Sequence, residues 1–301
     1  MACRFEVVLP GEDARHVAAA RAALDIAGRL EAQLSVFRET SELSGVNRCA
    51  ADQPTEVSRP LFALLQRAAR IHAETGGAFD ITSTPLSRCW GFLHREGRLP
   101  DSQAIADALT HVGMKLVTLD VPSKTVRFQA PGVELNLGAI GKGYALDVMA
   151  KRLRRAGVQH ALLSAGASSI LAIGDDGAGW PVHIRPRLLD GARVARLRLR
   201  DAAIATSGAG EQFVVVDGQR YGHVLDPRTG WPASGVVSAT VVTRDAALAD
   251  ALSTAILVEG PALAEQYCER HPDTLVLMTL DGDPERTSVV GRCRGALIEK
   301  D

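Results

Sequence analysis

The chain of 301 residues carries 34 Lys and Arg against 35 Asp and Glu, so it has no basic field with which to bind nucleic-acid phosphates. A hydrophobic fraction of 46% and a charged fraction of 23% are typical of a soluble globular protein with one large domain or two ordinary ones. Arg4 and Glu6 interrupt any signal peptide, no apolar run is long enough for a membrane span, and the five cysteines form no CxxC pair. We therefore expect a cytoplasmic protein with free thiols.

The first 115 residues are predicted to be mainly helical. A short strand, Arg4–Leu9, comes first, and a polar segment, Thr40–Asn47, separates the first helix from the second. The helices are assigned where apolar residues recur at helical spacing, and they run over Asp13–Val36, from the N-cap Ser58 to Gly76-Gly77, and over Ser102–Val112.

From residue 116 onward the apolar period changes from 3.6 to 2, which predicts β-structure for most of the remaining chain. The predicted strands are Leu116–Leu119, Thr125–Gln129, Val133–Leu137, Ala161–Ser164, Ile170–Ile173, Val182–Arg185, Arg193–Leu199, Phe213–Val216, Tyr221–Leu225 and Val237–Thr243. Two helices interrupt them, Gly141–Arg155 and Ala246–Leu257. Because strands and helices are segregated rather than strictly alternating, we predict an α+β fold, with no linker or repeat that divides the chain.

Residues Gly138–Gly143 form a glycine-rich junction between a predicted strand and a predicted helix. The junction is not a P-loop, which needs four residues between its first glycine and the Gly-Lys pair, followed by Ser or Thr. The free N–H groups and the positive dipole end of the helix favour an anion there. Close packing of the strand on the helix is the alternative reason for the glycines.

Asp250 and Thr254 stand at positions i and i+4 of an apolar helix, so their side chains share one helical face. A carboxylate and a hydroxyl in this arrangement are suitable ligands for Mg²⁺, and a backbone carbonyl of the glycine-rich junction would complete the site. The alternative is a solvated acid at the start of the helix and a threonine bonded back to the preceding turn.

His223 lies on the predicted strand Tyr221–Leu225, just before the turn Asp226-Pro-Arg-Thr-Gly230. A turn of this composition can present charged groups to a ligand, and histidine is the side chain most ready to accept a proton near neutral pH. We therefore interpret His223 as a site residue, with a satisfied core histidine as the alternative.

Six segments, taken in order, resemble the ApbE family of flavin transferases, the FAD:protein FMN transferases. The resemblance covers nearly the whole chain, and its segments are Leu34–Asn47, Gly77–Thr82 with Pro85-Leu86, Leu137–Tyr144, Thr206–Gly208, His223–Gly230 and Asp250–Ala255. It implies an α+β fold with one flavin transferase domain over residues 1–301, T-fold-like, in which mixed sheets pack with helices.

The resemblance also implies which residues form the site. Asp250 and Thr254 would hold Mg²⁺ with their side chains, and Gly141 and Ser253 with backbone oxygens. The residues implied to contact FAD are Met1, Phe37, Ala78, Phe79, Asp80, Gly138, Lys142, Tyr144 and Val224. Lys142 and His223 would lie near the diphosphate. The chain departs from the family pattern at several positions. Phe37 stands where a tyrosine is common, and Ser164–Ser169 replaces Asn-Ala-Gly-Gly-Asp, which removes a carboxylate. Asn136 replaces a frequent Asp, Ala139 a frequent Gly and Gly141 a frequent Ala.

The implied activity is Mg²⁺-dependent cleavage of FAD at its diphosphate, with FMN joined by a phosphoester bond to a threonine of an acceptor protein and AMP released. Asp250 and His223 are the predicted catalytic residues, His223 as the base that takes the proton of the acceptor hydroxyl. The expected partners are FAD and a cytosolic acceptor flavoprotein with an exposed threonine. An FAD pyrophosphatase that uses water and a non-catalytic flavin-binding protein are the alternatives.

Overall fold

The computed structural model describes residues 3–166, 168–175, 177–184, 195–210, 212–281 and 283–299. The α-helices of these residues, in chain order, are α1 (Val17–Leu34), α2 (Glu42–Cys49), α3 (Arg59–Glu74), α4 (Thr84–Cys89), α5 (Ser102–Leu109), α6 (Gly141–Arg155), α7 (Ala246–Glu259) and α8 (Pro261–Arg270). Several begin at side-chain caps, as at Ser58, whose hydroxyl accepts from the N–H of Leu61 at the start of α3. No helix in this part of the chain is long and apolar enough to span a membrane.

The observed strands coincide with most of the segments that the period-2 pattern predicts. In chain order they are β1 (Phe5–Val8), β2 (Thr55–Glu56), β3 (Val117–Asp120), β4 (Thr125–Phe128), β5 (Ala161–Ala165), β6 (Ser169–Ile173), β7 (Trp180–Ile184), β8 (Ala195–Leu199), β9 (Ala203–Gly208), β10 (Phe213–Val216), β11 (Gln219–Gly222), β12 (Val236–Thr243), β13 (Thr274–Leu280), β14 (Asp283–Arg292) and β15 (Ala296–Glu299). The mixture of helices with several antiparallel sheets confirms the predicted α+β fold.

The chain divides into two compact units. Unit 1 comprises Met1–Glu31, Ile140–Gly208 and Ser234–Asp301, and unit 2 comprises Ala32–Ala139 and Ala209–Ala233. Each unit is therefore assembled from segments that are distant in sequence. The single domain over residues 1–301 stays a prediction.

Unit 1 is built around a seven-stranded antiparallel sheet with the strand order β1-β5-β6-β9-β12-β13-β14. One buried cluster joins helices α1 and α6 to this sheet and includes Ala27, Leu146 and Leu163. A second joins the sheet to the three-stranded sheet β15-β8-β7 and includes Leu197 and Val242. Helix α7 packs on β9 and β12 and is buried over most of its length, which explains why it is apolar nearly all round.

Unit 2 contains α2 to α5, the sheet β2-β4-β3 and the hairpin β10-β11. Its core cluster includes Leu86, Trp90, Ile105 and Leu225. The indole Nε1 of Trp90 donates to the carbonyl of Gly230 at 2.9 Å. A Cβ at position 230 would lie 2.5 Å from Ile105, and φ there is 77°, so the turn that ends at this glycine admits no other residue without strain.

Several boundaries and elements differ from the predictions. Val133–Leu137 is not a strand, because the backbone N–H and carbonyl of Leu135 both bond to the side chain of Asn47, each at 2.9 Å. Most of the polar segment Thr40–Asn47 is helical and belongs to α2, which is capped by Ser41 and ends at Cys49. The predicted helix Asp13–Val36 begins with a 3₁₀ turn. Elements α4, α8, β2, β9 and β13 to β15 have no counterpart among the predicted elements.

Candidate active site

Helices α6 and α7 of unit 1 make a close backbone contact in their first turns. Gly143 of α6 lies against Ala246 and Ala247 of α7, and a Cβ at position 143 would sit 2.0 Å from the carbonyl oxygen of Ala246. No side chain fits there unless one helix moves. Close packing, the alternative reason for the glycine-rich junction, therefore holds at Gly143.

Asp250 lies at the centre of this contact. It is in the second turn of α7 and only 4% exposed. The alternative interpretation, a solvated acid at the start of the helix, is therefore wrong. Its Oδ2 accepts from the N–H of Gly143 at 3.1 Å. Its Oδ1 lies 3.2 Å from Nζ of Lys142 and accepts from the hydroxyl of Ser169 at 3.3 Å. The ammonium group of Lys142 thus supplies the positive charge that a buried carboxylate needs.

Three hydroxyl groups lie close together beside Asp250, at the next turn of α7. Oγ of Ser207, on β9, lies 2.9 Å from Oγ of Ser253 and 3.1 Å from Oγ1 of Thr254. The hydroxyls of Ser253 and Thr254 also donate to the backbone carbonyl of Asp250, at 2.9 Å and 3.4 Å. The back-bonded threonine that the sequence offered as an alternative is therefore present.

The donor atoms of this cluster fit Mg²⁺ by their chemistry. The carboxylate of Asp250 and the hydroxyls of Thr254 and Ser207 are hard oxygen ligands, which this cation prefers. Among the described residues no group of three or more His, Cys, Asp or Glu side chains could hold a metal ion. A cation in this cluster would rest on one carboxylate and be completed by water and phosphate oxygens. The carbonyls of Gly141 and Ser253 stay predicted ligands.

Asp147 is a second acid at this contact, on α6, and no sequence motif points to it. Its two carboxylate oxygens accept from the N–H groups of Ala246 and Ala247, at 2.9 Å and 3.0 Å. Asp147 of α6 therefore caps α7, while Asp250 of α7 binds an N–H of α6, an arrangement we term reciprocal capping. Burial and the nearby charge of Asp245 raise the pKa of Asp147 to about 7, against the opposing effect of its two N–H donors.

We expect Asp147 to make the protein less stable as the pH rises from about 4 to about 7. Its pKa of about 7 in the folded protein lies above the value of about 3.9 for an unfolded aspartate, so only the native state keeps the proton in that range. The stabilisation is full below the unfolded pKa and lost as the pH passes the folded pKa. Thermal melts of the wild type and of Asp147→Asn across this range check the prediction, and parallel curves would contradict it.

His223, in unit 2, lies directly after β11 and not within a strand as predicted. Its backbone N–H donates to the carbonyl of Gln212 at 3.0 Å, and its Nδ1 lies 3.1 Å from the same oxygen. Because a carbonyl can only accept, Nδ1 carries the hydrogen in the neutral ring and Nε2 is the proton-accepting nitrogen. The side chain of Gln212 donates to the carbonyl of Phe92 at 3.0 Å. Gln212, whose carbonyl binds His223, is therefore itself held in place.

The charges of the turn after His223 are paired with each other. Nε and one terminal nitrogen of Arg228 donate to the two carboxylate oxygens of Asp226, each at 2.8 Å. Burial opposes ionisation of Asp226, but the hydrogen bonds from Arg228 outweigh it and lower the pKa of the carboxyl. Both side chains therefore stabilise the turn, and their presentation to a ligand stays a prediction.

Asp80, predicted to line the FAD site, organises a loop of unit 2. Its Oδ1 accepts from the N–H and the hydroxyl of Thr82, at 2.7 Å and 2.6 Å, and its Oδ2 lies 3.2 Å from Nδ1 of His72. The hydrogen bond to Asp80 raises the pKa of His72 against the effect of burial. Ala78 and Phe79 are each 1% exposed, so their side chains belong to the interior of the unit.

Phe37 is 65% exposed and lines a cleft of about 840 Å³ in unit 2. Asn47, Arg48, His94 and Glu134 are among the polar residues of the same cleft. An exposed aromatic ring on the wall of a cavity of this size is suited to stacking on a planar ligand.

The remaining predicted FAD contacts are distributed over the chain. Gly138 donates its N–H to the side chain of Asn136 at 2.8 Å, and the carbonyl of Val224 accepts from Ala233 at 2.9 Å. Burial, together with the charge of Asp147, raises the pKa of Tyr144 on α6. Met1 lies outside the described residues.

The sequence matches a known protein family over most of its length. The sequence model of the ApbE family matches residues 1–278. The chain belongs to the ApbE family. Curated relatives are named FAD:protein FMN transferase: the one from Vibrio cholerae is 31% identical over 85% of this chain and 78% of its own length. The relative from Klebsiella pneumoniae is 31% identical over 92% of this chain and 81% of its own length.

Solved ApbE structures share the fold. The ApbE protein of Thermotoga maritima superimposes with a TM-score of 0.82 at 31% identity, over 97% of this chain and 94% of that one. The flavin transferase ApbE of Vibrio cholerae gives a TM-score of 0.83 at 28% identity, over 96% and 94% of the two chains. These likenesses, with the family match, confirm the resemblance on which the expected fold was based.

Besides Asp147, three residues that contact predicted site residues were not themselves among the predicted ones. Ser169 ends the segment Ser164–Ser169 that lacks the family's carboxylate, and it still gives a hydroxyl to Asp250. Ser207 lies in the motif Thr206-Ser-Gly208, which could have drawn attention to it. Gln212 has no sequence signal, since its role depends on a carbonyl that meets His223 only in the fold.

Proposed function

We propose that this ApbE-family enzyme is an FAD:protein FMN transferase that uses Mg²⁺. The observation that carries the proposal is the cluster of oxygens from Asp250, Thr254 and Ser207 beside the N-terminal turn of α6. Such a cluster is suited to a cation next to an anionic ligand, because the helix start also favours negative charge. The names of the curated relatives support FAD as the substrate and a protein as the acceptor.

In the proposed reaction the hydroxyl oxygen of an acceptor threonine attacks the phosphorus of the FMN half of FAD. The bond from that phosphorus to the bridging oxygen breaks, AMP leaves with the bridging oxygen, and a phosphoester joins FMN to the threonine. One proton is lost from the hydroxyl. The enzyme has to hold the diphosphate, offset its charge and accept that proton.

Residues of α6 and α7 are proposed to hold the diphosphate. The start of α6 favours an anion, and although the N–H of Gly143 already donates to Asp250, the ammonium group of Lys142 can shift from Asp250 to a phosphate oxygen. Mg²⁺, when bound through Asp250 and Thr254, supplies the positive charge that offsets the diphosphate and the leaving phosphate. Asp250 would then exchange a lysine partner for a cation, so its carboxylate stays compensated throughout.

His223 is proposed to take the proton from the acceptor threonine through Nε2. The carbonyl of Gln212 supports this role, because it accepts from Nδ1–H and thereby fixes the tautomer and the orientation of the ring. A base held in this way needs no reorganisation when the hydroxyl arrives.

The cleft lined by Phe37 is proposed to hold a ring system of FAD. Replacing Phe37 by Ala removes a stacking contact worth about 0.5–1.5 kcal/mol, so we expect FAD to bind about two- to tenfold more weakly. Phe37→Tyr keeps the ring and is the matched control, with an affinity expected within about twofold of the wild type. Titration of flavin fluorescence measures both variants. Equal affinities for the wild type and Phe37→Ala would remove Phe37 from the FAD site.

Mass spectrometry separates the proposed activity from its alternatives. The protein is incubated with FAD, Mg²⁺ and candidate flavoproteins, and a threonine that gains the mass of FMN, with AMP released in equal amount, is the expected result. Release of free FMN and AMP with no modified protein would identify a pyrophosphatase. Intact FAD after incubation would identify a non-catalytic flavin-binding protein.

The acceptor is proposed to be a cytoplasmic flavoprotein, or a cytoplasm-facing segment, with its threonine in an exposed loop. The five cysteines support a reducing compartment, since all of them are free thiols. Burial raises the pKa of the Cys268 thiol to about 11, so this thiol stays protonated at neutral pH.

A further inference from the structure

The hairpin β10-β11 of unit 2 presents an apolar face to solvent. Phe213 is 43% exposed and Val215 is 56% exposed, and as alternate residues of one strand they lie on the same face. Arg220 pairs with Val215 across the hairpin and places its guanidinium 3.5 Å from the centre of the Phe213 ring. Val214 and Tyr221, on the opposite face, pack against the core cluster of the unit. Phe213, Val215 and Arg220 are named the hairpin face.

The hairpin face lies next to His223 in the strand register. Phe213 pairs with Gly222, and the next residues outward, Gln212 and His223, are joined by the N–H of His223 and the Gln212 carbonyl. One residue of a strand spans only about 3.3 Å, so a segment seated on Phe213 that continues past the end of the hairpin lies within a few residues' reach of His223. The hairpin is a fixed support, because its inner face is packed and Gln212 bonds to Phe92.

We propose that the hairpin face is the docking surface for the acceptor protein. It would bind an extended segment next to the reactive threonine, through apolar side chains on Phe213 and Val215 and through a carboxylate on Arg220. This inference rests on the proposed function, in which His223 takes a proton from a hydroxyl group of a protein and not from water. Scattered exposed apolar residues are ordinary on a protein surface, but an aromatic residue and an arginine stacked together beside the proposed base are typical of an interface centre.

The test uses Phe213→Ser/Val215→Ser, which removes the apolar contacts and leaves every proposed FAD, metal and proton-transfer residue in place. The acceptor probe is a protein extract of the source organism, freed of flavin, and covalent flavin fluorescence after denaturing electrophoresis measures transfer. At low extract concentration we expect the initial rate to fall at least about tenfold. The rate should recover as the extract is concentrated, while the Kd for FAD stays within about twofold of the wild type.

Val289→Ser/Leu297→Ser is the matched control, since these residues of unit 1 are 50% and 64% exposed and lie on β14 and β15. It should leave transfer unchanged. Arg220→Glu should also slow transfer, because it repels the carboxylate proposed for the acceptor. An unchanged rate in Phe213→Ser/Val215→Ser, or a loss that more extract does not restore, would overturn the docking surface. Absence of covalent flavin with the wild-type enzyme would instead overturn the proposed transferase.

Discussion

Asp250→Asn is expected to lower the rate of FAD cleavage at least about a hundredfold. Asparagine has nearly the same shape and can still accept from Gly143, but it lacks the charge that a cation and Lys142 require. The rate of AMP release, measured while Mg²⁺ is varied, checks the prediction. Wild-type turnover at limiting Mg²⁺ would show that Asp250 does not serve the metal.

Ser169→Ala is the matched control for this variant. Its hydroxyl donates to the same carboxylate at 3.3 Å, so the substitution removes one contact of Asp250 without changing any charge. We expect a loss of less than about tenfold, because the variant keeps the charge of the carboxylate and its contacts with Lys142 and Gly143. Asp250→Ala is less informative, because it also removes the oxygen that Gly143 and Lys142 contact and should destabilise the fold by about 1–3 kcal/mol.

His223→Gln is expected to slow FMN transfer by about 10²- to 10⁴-fold while the Kd for FAD stays within about twofold. A proton acceptor contributes mainly in the transition state, so the effect should appear in kcat rather than in binding. Single-turnover transfer and flavin fluorescence titration measure the two quantities. His183→Gln, an exposed histidine on β7, is the control and should change neither.

Two outcomes would count against this assignment of His223. An equal loss of FAD affinity and rate would make it a ligand contact only. A wild-type rate in His223→Gln would mean that the acceptor hydroxyl loses its proton to another group.

The cluster proposed to hold the metal was predictable in part because local spacing determines it. Asp250 and Thr254 share a helical face whatever the rest of the fold does, and the glycines before α6 point to a helix start near an anion. Asp147 was not predictable, since its partners Ala246 and Ala247 are about a hundred residues away in sequence and the contact depends on packing. Ser207 lies in a recognisable motif, but its contact with α7 depends on the sheet that brings its strand there.

Unit 2 shows where sequence patterns mislead. Val133–Leu137 alternates like a strand, yet the Asn47 side chain takes the backbone groups that a neighbouring strand would have bound. The unit also draws on Ala32–Ala139 and Ala209–Ala233, two segments that no linker or composition change marks. Turn chemistry was more reliable, since Gly230 ends its turn with a positive φ, as the residue type suggests.

Reciprocal capping has a consequence for protein design. Because Asp147 of α6 binds the start of α7 and Asp250 of α7 binds the start of α6, neither helix has a complete N-terminus without the other. A designer who transplanted α7 alone into a new scaffold would move the proposed metal ligands Asp250 and Thr254 but lose the contacts of Gly143 and Lys142 with Asp250. A portable version of this proposed centre needs at least the helix pair, with glycine kept at position 143 so that the two backbones can still touch.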